Sequence, residues 1–225
     1  SYGAARENRS RWAASDVPAF KEEPYITTAK DYISKINFEL AYVKFPRQPI
    51  ETIMGSWEDI NKQFSESQYF GSEITGNGFL KEIAEEATAS ASTSEQKISA
   101  INNYVKQNIA WNGSSRKYTD TPLKKVLEDR KGNSAEINLL MASMLEKLGF
   151  TVSGVLVSTR DHGFVRQASA ISSQFNYVLC LVRFDDKQIL LDATDNLLPT
   201  GVLPERCLNG NGFVVSKSGE HRWVA

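Results

Sequence analysis

The chain has 225 residues, 41% of them hydrophobic and 24% charged, with a formal net charge of −1. That length can bury a substantial core, as one large domain or one domain plus a fragment. The basic residues are dispersed, which excludes the cationic footprint of a nucleic-acid or anionic-membrane binder, and no apolar run approaches the roughly 18 residues of a membrane-spanning helix.

The inventory of metal-binding side chains is small: Cys180, Cys207, His162 and His221. A structural zinc site usually takes four such ligands in a compact spacing, so neither a metal nor another cofactor is expected. Cys180 lies inside an apolar strand pattern and reads as a buried thiol. Cys207, in the loop sequence "PERCLNGNG", reads as a structural or inert thiol. The chain starts at Ser1, without an initiator Met or a basic-then-apolar leader. The expectation is a piece or mature form of a longer protein, whose compartment the sequence does not reveal.

In chain order, the first clear element is an alternating run. Ile36, Phe38, Leu40 and Tyr42 share one face, with Asn37 and Glu39 opposite, which predicts a strand with one buried side. A single strand is not stable alone. Residues 1–53 are therefore expected to be a β-rich segment, the tail of a preceding all-β domain, with a second domain over 54–225.

Residues 56 to about 110 read as helices. "SWEDINKQF" starts at Ser56 with Asp59 three places on, and Trp57, Ile60 and Phe64 form its apolar stripe. A second helix carries Leu80, Ile83, Ala84 and Ala87. A third begins at Thr93, where Gln96 completes a capping box, and buries Ile98, Ile101, Tyr104 and Val105. "TPLKKVLED" predicts a short helix capped by Thr121, with Pro122 in the first helical position.

"GNSAEINLLMASMLEKLG" predicts the strongest helix. Asn133 is a favoured N-cap and Glu136 completes a box-like cap. Ile137, Leu140, Met141, Met144, Leu145 and Leu148 form an amphipathic stripe, and Gly149 ends it. After it the period changes to two. "TVSGVLVST", "FNYVLCLVRF" and "QILLDAT" predict three strands, the first two joined by the polar surface loop "RDHGFVRQASAISSQ". Helices first, then a helix leading into an antiparallel sheet, is an α+β arrangement.

The start of the strong helix needs nothing beyond a stable cap. Ser134, however, lies three residues before Ile137 and seven before Met141, on the buried stripe. Its hydroxyl sits in the first turn, where the helix dipole favours a developing negative charge. A nucleophile there would point toward the sheet that follows.

In this order, "GNSAEINLLMASMLEKLG", "QFNYVLCLV" and "ILLDATD" resemble the transglutaminase-like superfamily, which has a papain-like fold. The resemblance covers roughly residues 90–200. It implies a helical N-terminal part and a core helix packed on an antiparallel sheet. It also implies a nucleophilic Cys at the start of that helix, a His on a following strand and an Asp on the next. In this sequence those positions are Ser134, Tyr177 and Asp192, so only the Asp is kept.

The two changes compound. A thiol of pKa about 8.5 becomes a thiolate beside an imidazole of about 6.5, whereas a serine hydroxyl is far less acidic and needs a general base. A tyrosine of pKa about 10 is protonated near neutrality and a poor base. The expectation is a hydrogen-bond chain from hydroxyl to phenol to carboxylate, with no acyl-transfer chemistry.

The expected role is thus a non-catalytic binding or scaffolding module. Its ligand would be a peptide, a glycan-linked peptide or a neighbouring domain of a longer bacterial protein, which the resemblance suggests is exported. Cleft-lining candidates are Trp111, Asn133, Arg160, His162 and Asn176, with Arg160 and Asp161 as a polar rim or a loop ion pair. The alternative is a serine-dependent hydrolase or acyltransferase, with His162 as substitute base or a water held by Tyr177 and Asp192. His221 is a weaker candidate still.

Overall fold

The computed structural model of the protein describes residues 9–21, 23–24, 26, 28–34, 40, 42–52, 55–217, 219 and 222–225. The chain begins with a short helix α1 (Ala29–Tyr32) and a two-residue ribbon, β1 (Tyr42–Val43) pairing antiparallel with β2 (Glu51–Thr52). Ile36 and Phe38 of the expected strand lie outside the described residues. Leu40 and Tyr42 from the same run are exposed, not buried. None of the described residues between 9 and 50 is buried, although Trp12, Phe20, Phe45 and Ile50 are large and apolar.

Four helices follow: α2 (Trp57–Ser65), α3 (Gly71–Gly76), α4 (Leu80–Ala87) and α5 (Ser94–Asn108). The box expected at Thr93 forms, and so does one at Ser56: each cap side chain accepts from the N–H of the third helical residue, whose own side chain accepts from the cap's N–H. Helix α3 was not legible in "GSEITG", which has two glycines and one buried apolar side chain, Ile74. Next come β3 (Ala110–Trp111), α6 (Leu123–Asp129) and β4 (Lys131–Gly132), with β3 and β4 pairing in parallel. Helix α6 starts one residue later than expected, with Pro122 as the cap. The Thr121 N–H is instead donated to Glu136 Oε1 at 2.8 Å.

Helix α7 (Ser134–Lys147) is the centre of the molecule. Asn133 Oδ1 accepts from the Glu136 N–H at 2.9 Å, and Glu136 Oε2 accepts from the Asn133 N–H at 2.7 Å. The expected stripe understates the burial, because all twelve residues from Ser134 to Leu145 are buried. Helices α3, α4 and α5 pack on one side of α7 and two strands on the other, so no face remains for solvent. An apolar residue at every core-facing position is what such a helix requires, and the polar exceptions must find partners.

The sheet comprises β5 (Thr151–Val157), β6 (Tyr177–Phe184), β7 (Lys187–Leu191), β8 (Gly212–Val214) and β9 (Arg222–Val224), all antiparallel, in the order β7-β6-β5-β8-β9. The last two strands, three residues each, were missed in the sequence. The β6–β7 hairpin turns through Asp185 and Asp186, both at positive φ (45° and 60°), the conformation a two-residue turn demands and Asp tolerates. Strand alternation sorts β6 cleanly. Val178, Cys180 and Val182 face α7, while Tyr177, Leu179 and Leu181 face a second apolar cluster with Val155, Val157, Cys207, Val214 and Val224. Both cysteines are free and buried. Burial alone pushes the Cys180 thiol up to about 12.

Candidate functional site

Ser134 opens α7, held at the helix mouth by the parallel pairing of Trp111 with Gly132. Its hydroxyl is fully buried and bonded both ways to one neighbour. Ser134 Oγ donates to the Arg116 carbonyl at 3.0 Å and accepts from the Arg116 N–H at 2.8 Å. The expected chain from Ser134 to Tyr177 is therefore broken at its first link. The physical reason is the strand register: Tyr177 starts the side of β6 that faces the second cluster, away from the α7-facing side.

The second link is present. Tyr177 OH donates to Asp192 Oδ2 at 2.6 Å, just beyond the end of β7. Burial, then the nearby Asp192 charge, pushes the phenol far above the ordinary tyrosine range. Asp192 itself is almost wholly buried, and four donors surround its carboxyl. Oδ1 accepts from the Thr194 N–H at 2.8 Å and the Thr194 hydroxyl at 2.5 Å; Oδ2 accepts from Tyr177 and from Asn138 Nδ2 at 2.9 Å.

Asn138 is a site residue that sequence reasoning missed. It lies one turn after Ser134 on the same face of α7 and is fully buried. Its Nδ2 also donates to the Val178 carbonyl at 2.8 Å, and its Oδ1 accepts from the Ala193 N–H at 2.9 Å. A signal was available: an Asn in the middle of "AEINLLM" must be satisfied internally if the helix is buried.

Arg206 is the other missed residue. It comes from a 3₁₀ turn (Glu205–Cys207) in the loop between β7 and β8. Its guanidinium lies 4.3 Å from the centre of the Trp111 ring and 5.7 Å from that of Tyr177. Nη2 donates to Thr194 Oγ1 and, at 3.4 Å, to Tyr177 OH. Nothing local in "PERC" foretells this long-range contact.

The remaining candidates are scattered. Trp111 is partly buried, with its indole N–H donated to the Ser114 carbonyl at 3.1 Å. Asn133 works as a cap and also contacts Asp120 Oδ2 at 3.3 Å. Asn176 bonds Thr159 twice, at 2.7 and 2.9 Å, fixing the loop base. Arg160 pairs with Glu205 at 4.0 Å and not with Asp161, whose carbonyl accepts from Lys30. His162 Nδ1 lies 3.0 Å from Ser158 Oγ, which itself donates to the Gly163 carbonyl, and no hydrogen bond joins His162 to Ser134. Burial, then the nearby Lys30 charge, lowers the His162 pKa below the ordinary imidazole value. His221 lies outside the described residues. No helix among the described residues is long and apolar enough to cross a membrane.

The comparisons agree with this architecture. A family model, the transglutaminase-like superfamily, matches residues 81–188. A candidate protease from Parabacteroides distasonis is similar in structure at TM-score 0.51 and 15% identity, covering 83% of this chain and 35% of its own. A candidate cysteine protease from Cytophaga hutchinsonii (TM-score 0.43, 13% identity, 68% and 50% covered) and a TGase (0.40, 14%, 69% and 41%) are similar more remotely. This chain thus spans between about a third and a half of the solved chains it matches. No curated protein matches it. Residues 81–188 are a transglutaminase-like domain, and the helix and antiparallel sheet built around them have the transglutaminase-like, papain-like fold.

Proposed function

We propose that this domain is a non-catalytic binding or scaffolding module whose cleft, walled by Trp111, takes a peptide or protein ligand. The reading rests on one observation: the Ser134 hydroxyl donates to a backbone carbonyl, and the hydroxyl expected to face it, that of Tyr177, donates to Asp192. A serine becomes a nucleophile only when a base takes its proton in the transition state. Tyr177, held protonated by burial and by Asp192, is no such base. His162, the alternative base, is engaged with Ser158.

The exposed apolar residues of the described stretch 9–50 support a second part of the reading. This segment is the tail of a neighbouring unit, and none of its described residues is buried.

An alkyl fluorophosphonate probe tests the chemical claim. Native protein is expected to remain unlabelled over hours at neutral pH. Labelling that is lost in Ser134→Ala would overturn it. The paired change Ser134→Cys with Tyr177→His supplies the complementary arm: new thiol reactivity toward iodoacetamide at the helix mouth is expected there and in neither parent.

A further inference from the structure

We propose that the cleft receives a ligand through its carboxylate, held by Arg206 against Trp111. The proposal deepens the binding reading above and rests on it. The argument starts from how the guanidinium's donors are committed. Arg has five N–H donors in a planar fork that matches a carboxylate edge-on. Nη2 reaches Thr194 Oγ1 and, through a long 3.4 Å contact, Tyr177 OH. Nε is buried without a partner, and Nη1 bonds none of the described residues. Among the described residues no carboxyl group pairs with the side chain.

Asp192, the one buried acid nearby, is not free to do so. Both of its oxygens already accept two bonds each, from Thr194, Tyr177 and Asn138. The Arg206 charge is thus steered by two hydroxyls but directly neutralised by none. A partly buried cation in this state gains more from an incoming anion than one in open solvent, because Coulomb attraction strengthens as the effective dielectric falls.

The stack on Trp111, 4.3 Å away, fixes the plane of the guanidinium. It leaves the Nη edge as the direction in which a ligand can bind. A carboxylate approaching that edge would take one hydrogen from Nη1 and one from Nη2, replacing the weak Tyr177 contact and leaving Thr194 in place. Charge-assisted bidentate pairs of this kind are the strong ones. The indole N–H of Trp111 is committed to Ser114, so the ring serves the ligand as an apolar wall and not as a donor. Two sources present this chemistry, a peptide C-terminus and a small carboxylic acid.

The test is an NMR titration of ¹⁵N-labelled protein, read at the Trp111 indole N–H, with that signal assigned by Trp111→Phe. The probes are acetyl-alanyl-alanine, its C-terminal amide, and propionate. The dipeptide acid is expected to shift the signal with at least a ten-fold lower dissociation constant than the amide. Arg206→Gln is expected to abolish that preference, and Arg206→Lys to reduce it. Propionate binding as tightly as the dipeptide acid would assign the site to small acids; weaker propionate binding would assign it to peptide termini.

Equal binding of acid and amide, binding of neither, or full retention of the preference in Arg206→Gln would overturn the proposal. The comparison of acid with amide uses only the unaltered protein, so a folding defect in a variant leaves it decisive. Fluorophosphonate labelling of Ser134 would defeat the non-catalytic reading while leaving carboxylate capture intact, and loss of carboxylate capture would leave the non-catalytic reading intact.

Discussion

Asn138 holds the helix, the sheet and Asp192 together, and Asn138→Ala measures how much that matters. The alanine would remove three hydrogen bonds in a region with no solvent access: Nδ2 to the Val178 carbonyl, Nδ2 to Asp192 Oδ2, and the Ala193 N–H to Oδ1. Two backbone groups are left orphaned, and each buried orphan costs about 1–3 kcal/mol. Asp192 Oδ2 keeps its Tyr177 donor, so its loss is the smallest of the three. The expected cost is about 3–5 kcal/mol, equivalent to a melting temperature lowered by about 10 °C for a domain of this size. Thermal melting followed by circular dichroism, supported by urea titration, checks it. Asn138→Asp provides an internal control. It keeps an acceptor for Ala193 but sets a second carboxyl against Asp192 Oδ2, where the amide nitrogen stood at 2.9 Å. Two carboxyls this close share a proton, so one has a folded pKa above its unfolded value. The stability it contributes is present at low pH and lost as pH rises through the raised pKa. Asn138→Asp should therefore melt closer to the unaltered protein at pH 5 than at pH 8. An Asn138→Ala protein melting within about 2 °C of the parent would refute the reasoning.

Three further outcomes are expected. Gly154→Ala brings a Cβ to 2.4 Å from Phe70 Cζ and 2.6 Å from Cε1 in a closed core, so it should cost about 1–3 kcal/mol by urea denaturation through overpacking. His162 has a folded pKa below its unfolded value, chiefly from burial, so its contribution is present above the unfolded pKa of about 6.5 and is lost as pH falls below that. His162→Gln should flatten the decline in melting temperature between pH 7.5 and pH 5, and an unchanged slope would contradict the assignment. Cys180, pushed up to about 12 by burial, and Cys207, also pushed up chiefly by burial, should resist Ellman's reagent at pH 8 in the native state and both react in 6 M (approximately) guanidinium.

What the sequence made legible was local. The capping boxes at Ser56, Thr93 and Asn133 are contacts between residues three apart, so their side chains announce them. The change of period after Gly149 marked the sheet for the same reason. What it hid was set by distant partners. The stripe on α7 suggested one buried face, yet the helix is enclosed all round, because three helices cover the side that periodicity assigned to water. Strands β8 and β9 are three residues long, too short for alternation to register. At the site, the positions of Ser134, Tyr177 and Asp192 were readable from motif order, but their orientations were not. Ser134 turns to a carbonyl eighteen residues back, and the partners of Asp192 come from α7 and β6.

Those orientations explain how a buried acid persists without an imidazole beside it. An isolated carboxylate in such a place would be far too costly, and the usual remedies are hydrogen bonds and a compensating charge. Here both are in place. Thr194, Tyr177 and Asn138 supply the four donors, all of them from groups that are uncharged near neutral pH. Lys106, buried on α5 with its ammonium donated to the Leu198 carbonyl at 2.8 Å, feels the Asp192 charge, and that attraction opposes the lowering of its pKa by burial. Arg206 stands on the other side, one hydroxyl removed. Lys106 also feels Asp195, whereas Arg206, stacked on Trp111, pairs with no carboxyl among the described residues and keeps Nη donors unfilled. Tyr177, Thr194 and Asn138 are thus fixed in place around Asp192, and the Arg206 donors they leave unused are the ones a ligand's carboxylate would fill.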